Sequence, residues 1–345
     1  MELDVVFLGT GGAAPSAGRG MPAQLVRHGG TRVLVDCGEG TQRQLMRSVG
    51  LTDLDAIVIT HGHMDHYLGL PAMLKTFSLR DRTQPLWIGF PEGFERIWKV
   101  IQALTGRTTY PLEVLRMEPG DQLSVGELTV EAVPTRHTVP STGFLVAEHD
   151  HPGRFDVDEA RRLGVAPGPD FGRLQRGESV TTAEGTIVEP AQVLGDQRAG
   201  RRVLVTGDTE ACSEVRDAAR NADLLVHEAT FLAEDAPRAR ATRHSTALDA
   251  ALTAQAAQVR MLALTHVSTR YEGRELRAEA RDVFPATECP RDFDIITVPL
   301  ADRGPVELHR SAARPNRRAP GRRADAGGEP SHREDQSTTS TAIGH

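Results

Sequence analysis

Short runs of apolar, largely β-branched residues recur along the chain, each bounded by glycine, proline or small polar residues, as buried strands are. Residues 5–8, 24–28, 32–36, 56–59 and 86–89 read this way, with Gly29-Gly30 closing a hairpin between the second and third runs. Residues 112–116, 123–125, 128–133 and 143–146 continue the series, and 203–206, 224–226, 261–264 and a last strand at 294–298 complete it. Helical spacing falls between these runs, over 41–49, 68–78, 93–105 and 274–283, with Trp98 on a core-facing position. A further helix opens at Ser245 or Thr246, either a natural N-cap, and runs to about Ala257. Two successive halves of mixed sheet with helices on their outer faces predict an α/β (α+β) fold, a four-layer αβ/βα sandwich whose strand ends meet at one edge.

The pattern breaks twice. Residues 151–199 are punctuated by glycine and proline and carry little strand signal; one short helix over 158–163 is expected, in a segment long and irregular enough to be functional or mobile. Arg154, Arg161, Arg162, Arg173 and Arg176 suit a phosphate-contacting arm, and Asp156, Asp158, Glu159, Asp170 and Glu178 dilute that charge. From Ser311 onward arginine alternates with proline, glycine and alanine, then serine and threonine take over; with no apolar face to offset the ordering entropy, 311–345 is expected to be a disordered tail. The globular part is therefore one domain over 1–310 carrying the 151–199 insertion, a size at which the core can be large.

Composition narrows the class. No apolar run spans a bilayer, so no membrane partner is expected, and the acidic Met1-Glu2-Leu3-Asp4 start is no signal peptide. Cys37, Cys212 and Cys289 are scattered and odd in number, which fits a reducing cytoplasm and neither a disulfide framework nor a cysteine zinc site. A net charge of −7 argues against unspecific nucleic-acid binding over the whole surface and leaves room for a local basic patch.

Candidate chemistry concentrates at Thr60-His61-Gly62-His63-Met64-Asp65-His66, on the loop leaving the 56–59 strand. Imidazole nitrogens and a carboxylate at this spacing suit zinc, with manganese or iron as competitors. His61 and His63 alternate along extended backbone and can clasp one ion; Asp65 and His66 can turn to a second. Such a cluster needs more ligands. His137, alone an ordinary loop histidine, becomes a third histidine for the first ion, His266 serves the second, and Asp208 after Gly207 bridges both. Asp36 is a candidate acceptor behind a ligand histidine, or equally a turn cap. A water between ions about 3.5–4 Å apart loses its proton near neutral pH and becomes a nucleophile. Asp65 is placed to take or orient that proton, and protonated His244 held by Glu228 can donate to the leaving oxygen. Gly9-Thr10-Gly11-Gly12 mimics a dinucleotide fingerprint, but Pro15, Ser16, Gly18 and Pro22 stand where its helix should start; the turn instead lets backbone pass close to the metal centre.

His-x-His-x-Asp-His after a strand resembles the metallo-β-lactamase superfamily. With Leu8-Gly9-Thr10-Gly11, Gly207-Asp208-Thr209, His227-Glu228-Ala229-Thr230-Phe231, His244-Ser245-Thr246 and Thr265-His266, the chain is similar to ribonuclease Z over nearly all of residues 1–309. Residues 155–157 and 164–177 resemble that family's protruding arm, which grips the tRNA elbow. The resemblance implies a metallo-β-lactamase sandwich, two zinc ions per subunit, a homodimer in which one subunit's arm presents precursor tRNA to the other's site, and a cut that leaves a 3′-hydroxyl on the tRNA. It also implies Asp65 as proton acceptor and His244 with Glu228 as proton donor. The family's early loop often ends in Arg-Asn, and here Gly20 follows Arg19, a departure that bears on how a terminal CCA is handled. The alternative is a dinuclear-zinc phosphodiesterase acting on small or non-tRNA phosphodiesters.

Overall fold

The computed structural model describes residues 1–311, so the expectation for the tail lies outside the described residues. In chain order, β1 (Leu3–Gly9), β2 (Ala23–His28) and β3 (Thr31–Val35) lead to α1 (Thr41–Arg47), β4 (Ala56–Val58), α2 (Met64–Tyr67) and α3 (Leu70–Leu79). Next come β5 (Leu86–Phe90), α4 (Glu95–Thr105), β6 (Leu112–Arg116), β7 (Gln122–Val125), β8 (Leu128–Pro134) and β9 (Thr142–Glu148). An inserted segment carries α5 (Val157–Arg162), α6 (Pro169–Gln175), β10 (Val180–Thr181) and β11 (Ile187–Val188). The second half holds β12 (Arg202–Val205), α7 (Ser213–Ala218), β13 (Leu224–Glu228), α8 (Ala236–Thr242), α9 (Ala247–Ala257) and β14 (Met261–Thr265), then α10 (Gly273–Arg281), β15 (Thr287–Glu288), β16 (Ile295–Thr297) and β17 (Glu307–His309).

One sheet runs β17-β16-β1-β2-β3-β4-β5-β6 and the other β15-β14-β13-β12-β9-β8-β7, both mixed. Alternation along each strand decides which layer a residue joins. Leu3, Val5 and Phe7 of β1 point into the core between the sheets, with Val33, Val35, Val146, Val203 and Val226. Val6 and Leu8 point the other way, onto α1, α3 and α4, with Leu45, Leu74 and Trp98. On the far side Leu204, Leu225, Leu262 and Leu264 meet the alanine face of α9 and the inner face of α10. These three apolar interfaces make the αβ/βα sandwich that the sequence pattern predicts. Central strands are covered on both faces, which is why β1 and β13 are buried along their whole length and read as continuous apolar runs. A one-residue slip of β1 against β2, where Val5 faces Val26, would exchange the inter-sheet and helix-facing sets, so the two cores lock the register.

Several details differ from the sequence expectation. The helix expected over 68–78 is α3, which starts at Leu70, and a short α2 precedes it; at Gly69 between them a Cβ would collide with the Gly38 carbonyl. β16 is not the last strand, because β17 pairs beyond it; β17 is three residues long with only Leu308 turned inward, too little pattern to register. α7, α8 and β15 are likewise short. The 151–199 insertion is more ordered than its composition suggests. It has two helices, a β10–β11 hairpin and its own small core of Ala160, Val165, Leu174, Val180, Val188 and Val193, against which Phe155 and Phe171 pack. Its neck is closed by pairing of His151 with Arg198 and by Gly153 against the Gly195 carbonyl. No described helix is long and apolar enough to cross a membrane, and all three cysteines are free thiols.

A buried ion pair ties the strands at the foot of that neck. Arg201 meets Glu148 of β9 in a fork at 2.7 and 2.9 Å, and its remaining donors reach the carbonyls of Val298 and Met1 at 2.9 Å each. Truncating one partner strands the other's charge in the interior. Glu148→Ala is therefore expected to cost about 3–5 kcal/mol of unfolding free energy in urea titrations; a loss below about 1 kcal/mol would mean that solvent reaches Arg201.

Candidate metal centre

The polar strand ends converge at one edge of the sandwich. Extended backbone after β4 delivers Thr60 and His61, and the turn into α2 delivers His63, Asp65 and His66. His137 follows β8, Asp208 follows β12 across Gly207, Glu228 closes β13 and His266 follows β14. Gly207 sits at φ 62 against the Thr60 side chain, where any Cβ would collide. The Gly-rich turn at 9–12 does pass the centre: Gly12 lies on the His266 ring with no room for a Cβ.

Hydrogen bonds behind the ring nitrogens fix which one faces inward. Asp36, held at φ 62, accepts from the Thr60 N–H at 2.8 Å and from His66 Nδ1 at 2.7 Å. Thr60 Oγ1 donates to Asp36 and lies 3.0 Å from His61 Nδ1. His137 Nδ1 donates to the Arg243 carbonyl at 2.9 Å, and His266 Nδ1 to Thr230 Oγ1 at 2.8 Å. Nε2 of all four rings is thereby left facing the interior of the cluster.

Two groups result, with Asp208 between them. His63 Nδ1 stands 3.1 Å from His61 Nε2 and 3.2 Å from His137 Nε2, and Asp208 Oδ2 lies 3.7 and 3.9 Å from the same two Nε2 atoms. On the other side Asp65 Oδ2 is 3.7 Å from His66 Nε2 and 3.5 Å from His266 Nε2. Asp208 reaches these with Oδ1 at 3.4 Å from His66 and Oδ2 at 3.3 Å from His266. All seven side chains named from the sequence are thus brought together. The separations match the roughly 3.3–3.4 Å edge of a tetrahedron with metal–nitrogen bonds of about 2.0–2.1 Å. His66 Nε2, His266 Nε2 and Asp208 Oδ1 are buried with no hydrogen-bond partner among the described residues, an arrangement that suits a bound cation. The donor set fits divalent metal.

Electrostatics point the same way. Burial, reinforced by neighbouring imidazoles, holds His61 well below its ordinary pKa, and burial lowers His63 and His137 too, so these rings keep a free lone pair. Burial also opposes charge on His66, but Asp208 and Asp36 outweigh it and raise the ring well above its usual value. That is the proton a cation would displace. Asp208 and Asp65 stay ionised despite burial, because His266 and His66 hold both well below the carboxylate range.

Beside this cluster His244 Nδ1 contacts Glu228 Oε1 at 2.8 Å. Glu228 is fully buried and saturated by Thr209 N–H at 3.1 Å, Thr230 N–H at 3.1 Å and Thr230 Oγ1 at 2.7 Å. Burial opposes His244's proton, but Glu228 outweighs it and raises the ring to about 9. Cations on Asp208 would offset that carboxylate's share, leaving Glu228 as the group that keeps the proton. His227 does not join: it is buried, with Nδ1 on the Glu228 carbonyl at 2.8 Å.

Three supporting residues were not found from sequence. Arg243, left-handed at φ 51, clamps His137 from both sides, its carbonyl accepting from Nδ1 and its guanidinium donating to the His137 carbonyl at 2.9 Å. Glu279 of α10 accepts from the N–H groups of Ala233 at 3.0 Å and Leu248 at 3.1 Å, fixing both flanks of the segment that carries His244. Thr60 links Asp36 to His61. Only Thr60 and Arg243 had any sequence signal, as neighbours of named histidines.

Asp36→Asn keeps the size of the side chain behind His66 and removes its charge. It is expected to weaken divalent-cation affinity by about 10–100-fold in competition with a chelating dye, with the thermal midpoint of the ion-free protein little changed. Unchanged affinity would make Asp36 a turn cap alone.

The family profile described as Beta-lactamase superfamily domain matches residues 31–267. The ribonuclease Z of Natronomonas pharaonis is 42% identical over 307 residues, covering 88% of this chain and 100% of that protein. That of Gemmatimonas aurantiaca is 42% identical over 308 residues, 88% of this chain and 98% of that one. Among solved structures, the short form of human tRNase Z superposes with a TM-score of 0.62 at 28% identity, covering 86% of this chain and 99% of that chain. The metallo-beta-lactamase fold protein YhfI of Bacillus subtilis superposes with a TM-score of 0.63 at 21% identity, over 86% and 100% of the two chains, a likeness of fold. With full-length relatives at this identity and a matching arrangement of layers, the chain belongs to the ribonuclease Z family of the metallo-β-lactamase superfamily.

Proposed function

We propose that this protein is a metal-dependent endoribonuclease that removes the 3′ trailer from precursor tRNA and leaves a 3′-hydroxyl on the tRNA. The observation that carries the reading is the meeting of seven ligating side chains next to the Glu228–His244 pair, in a chain whose full-length relatives are ribonucleases Z. His61, His63 and His137 would hold one cation, Asp65, His66 and His266 a second, and Asp208 both. Zinc suits this donor set best, with manganese or iron as substitutes. When bound, the two cations supply an acidified water and positive charge beside the scissile phosphate.

The chain's own groups do the rest. Asp65, anchored by the Ala13 N–H at 3.0 Å, stays ionised and takes the proton that the attacking water gives up. His244 donates to the oxygen that leaves phosphorus, which becomes the tRNA 3′-hydroxyl; the phosphate departs on the trailer. Glu228, buried and fully hydrogen-bonded, keeps that proton on His244. The 151–199 insertion is assigned to tRNA contact, in a homodimer where it serves the partner's site. A tRNA-processing role and three free thiols both support a cytoplasmic location.

Purified protein should cut a trailer-bearing precursor next to the discriminator base, yielding tRNA with a 3′-hydroxyl, and lose the activity to a chelator. Hydrolysis of small phosphodiesters with the precursor left intact would overturn the reading. The rate should also fall on the alkaline side as His244 loses its proton; its pKa lies at about 9 in the ion-free protein. Removing the carboxylate that raises it, by Glu228→Gln, should move that limb toward neutral pH by about one unit or more. An unmoved limb would assign the proton donor elsewhere.

A further inference from the structure

The loop that brings Gly12 to His266 and Ala13 to Asp65 turns away at Pro15, and its outer side is one wall of a cleft of about 980 Å³. α1 and the turn before β16 form the other walls. Arg43 and Arg47 of α1 and Arg291 of that turn line it, all exposed, and none has a carboxylate partner among the described residues. Arg47 lies over the half-buried ring of Phe293, 4.8 Å from its centroid. The cleft's acids are largely taken: Asp292 accepts from Thr10, Gly20 and Gln44, and Asp294 from Arg310 and the Arg291 N–H. Glu39 is the one lining carboxylate with no partner.

The arm offers a contrast. Arg161 pairs with Asp158, Arg162 with Glu159, Arg173 with Asp170 and Glu178, Arg176 with Glu178, and Arg154 with Asp302. Phosphates bound there must displace existing partners, whereas phosphates in the cleft need not. In a chain of net charge −7, three guanidinium groups without a carboxylate partner among the described residues line one cleft, Arg47 over an aromatic ring, and combine backbone attraction with a base-stacking surface. The sequence also continues from Ser311 at the cleft's rim through five arginines before its next carboxylate, Asp325.

We propose that this cleft is a track for single-stranded RNA, and that it holds the trailer as it leaves the metal centre. The inference rests on the nuclease reading above. On that reading the substrate is base-paired on the tRNA side of the scissile bond and single-stranded on the trailer side. Ala13 at the centre and Pro15 at the rim are two residues apart, under about 8 Å along the chain, so the first trailer nucleotides reach the cleft. Arg43, Arg47 and Arg291 then meet successive phosphates, and Phe293 with Arg47 offers a face to a base.

The test compares two precursors with one tRNA body, one with a single-nucleotide trailer and one with a trailer of about ten nucleotides. Combined Arg43→Glu, Arg47→Glu and Arg291→Glu should raise the long-to-short ratio of KM by about tenfold or more and flatten the salt dependence for the long trailer. The triple Arg→Gln variant should move the ratio in the same direction by less. An equal rise in KM on both precursors would assign these arginines to the tRNA body, and no change on either would take the cleft off the RNA path; both overturn the proposal. Failure of the unmodified protein to cut either precursor would instead refute the nuclease reading.

Discussion

A carboxylate that touches both halves of a buried imidazole cluster is the constraint on which this structure turns. Asp208 is almost wholly enclosed, lies within reach of His61, His66, His137 and His266, and keeps one oxygen without a hydrogen-bond partner. Collecting so many lone pairs away from water costs free energy unless positive charge sits among them. Protonated histidines can supply only part of it, since burial holds His61, His63 and His137 neutral. Divalent cations held by these residues would satisfy the inward-facing atoms.

The sandwich exists, from this viewpoint, to hold strand ends still. β13 ends in a residue of the site and β4, β8, β12 and β14 lead into one, with β4 and β13 buried along their whole length. A second tier then turns the side chains: Asp36, Thr60, Thr230 and Arg243 occupy the ring nitrogens that must not face the cluster. The left-handed backbone at Asp36, Arg243 and His266 belongs to the same tier. Such conformations are disfavoured for residues with a Cβ and persist where surrounding contacts over-determine them.

How much of this was legible in the sequence follows from how local each signal is. The His-x-His-x-Asp-His run announces itself in one turn of chain, and long apolar strands announce themselves by composition. His137, Asp208 and His266 are single polar residues after strands; the incompleteness of the early cluster picks out His137, and the recurrence of polar residues at strand ends picks out Asp208 and His266. Asp36 has two roles open to it in the sequence, and its 2.7 Å contact with His66 Nδ1 decides between them. Glu279 has no local mark, because it acts on backbone N–H groups far away in sequence. The folded core of the arm escaped for a related reason: six apolar residues among glycines and charges carry no period until the hairpin and two helices bring them together. The acids that dilute the arm's charge in the sequence stand beside its arginines in the fold, while arginines without a carboxylate partner among the described residues lie on α1 and before β16.

The most direct measurement of the central claim is anomalous scattering from crystals of the metal-loaded protein. Two peaks about 3.5–4 Å apart are expected, one among His61, His63 and His137, the other among Asp65, His66 and His266, with Asp208 touching both. A single peak, or peaks away from Asp208, would contradict that claim.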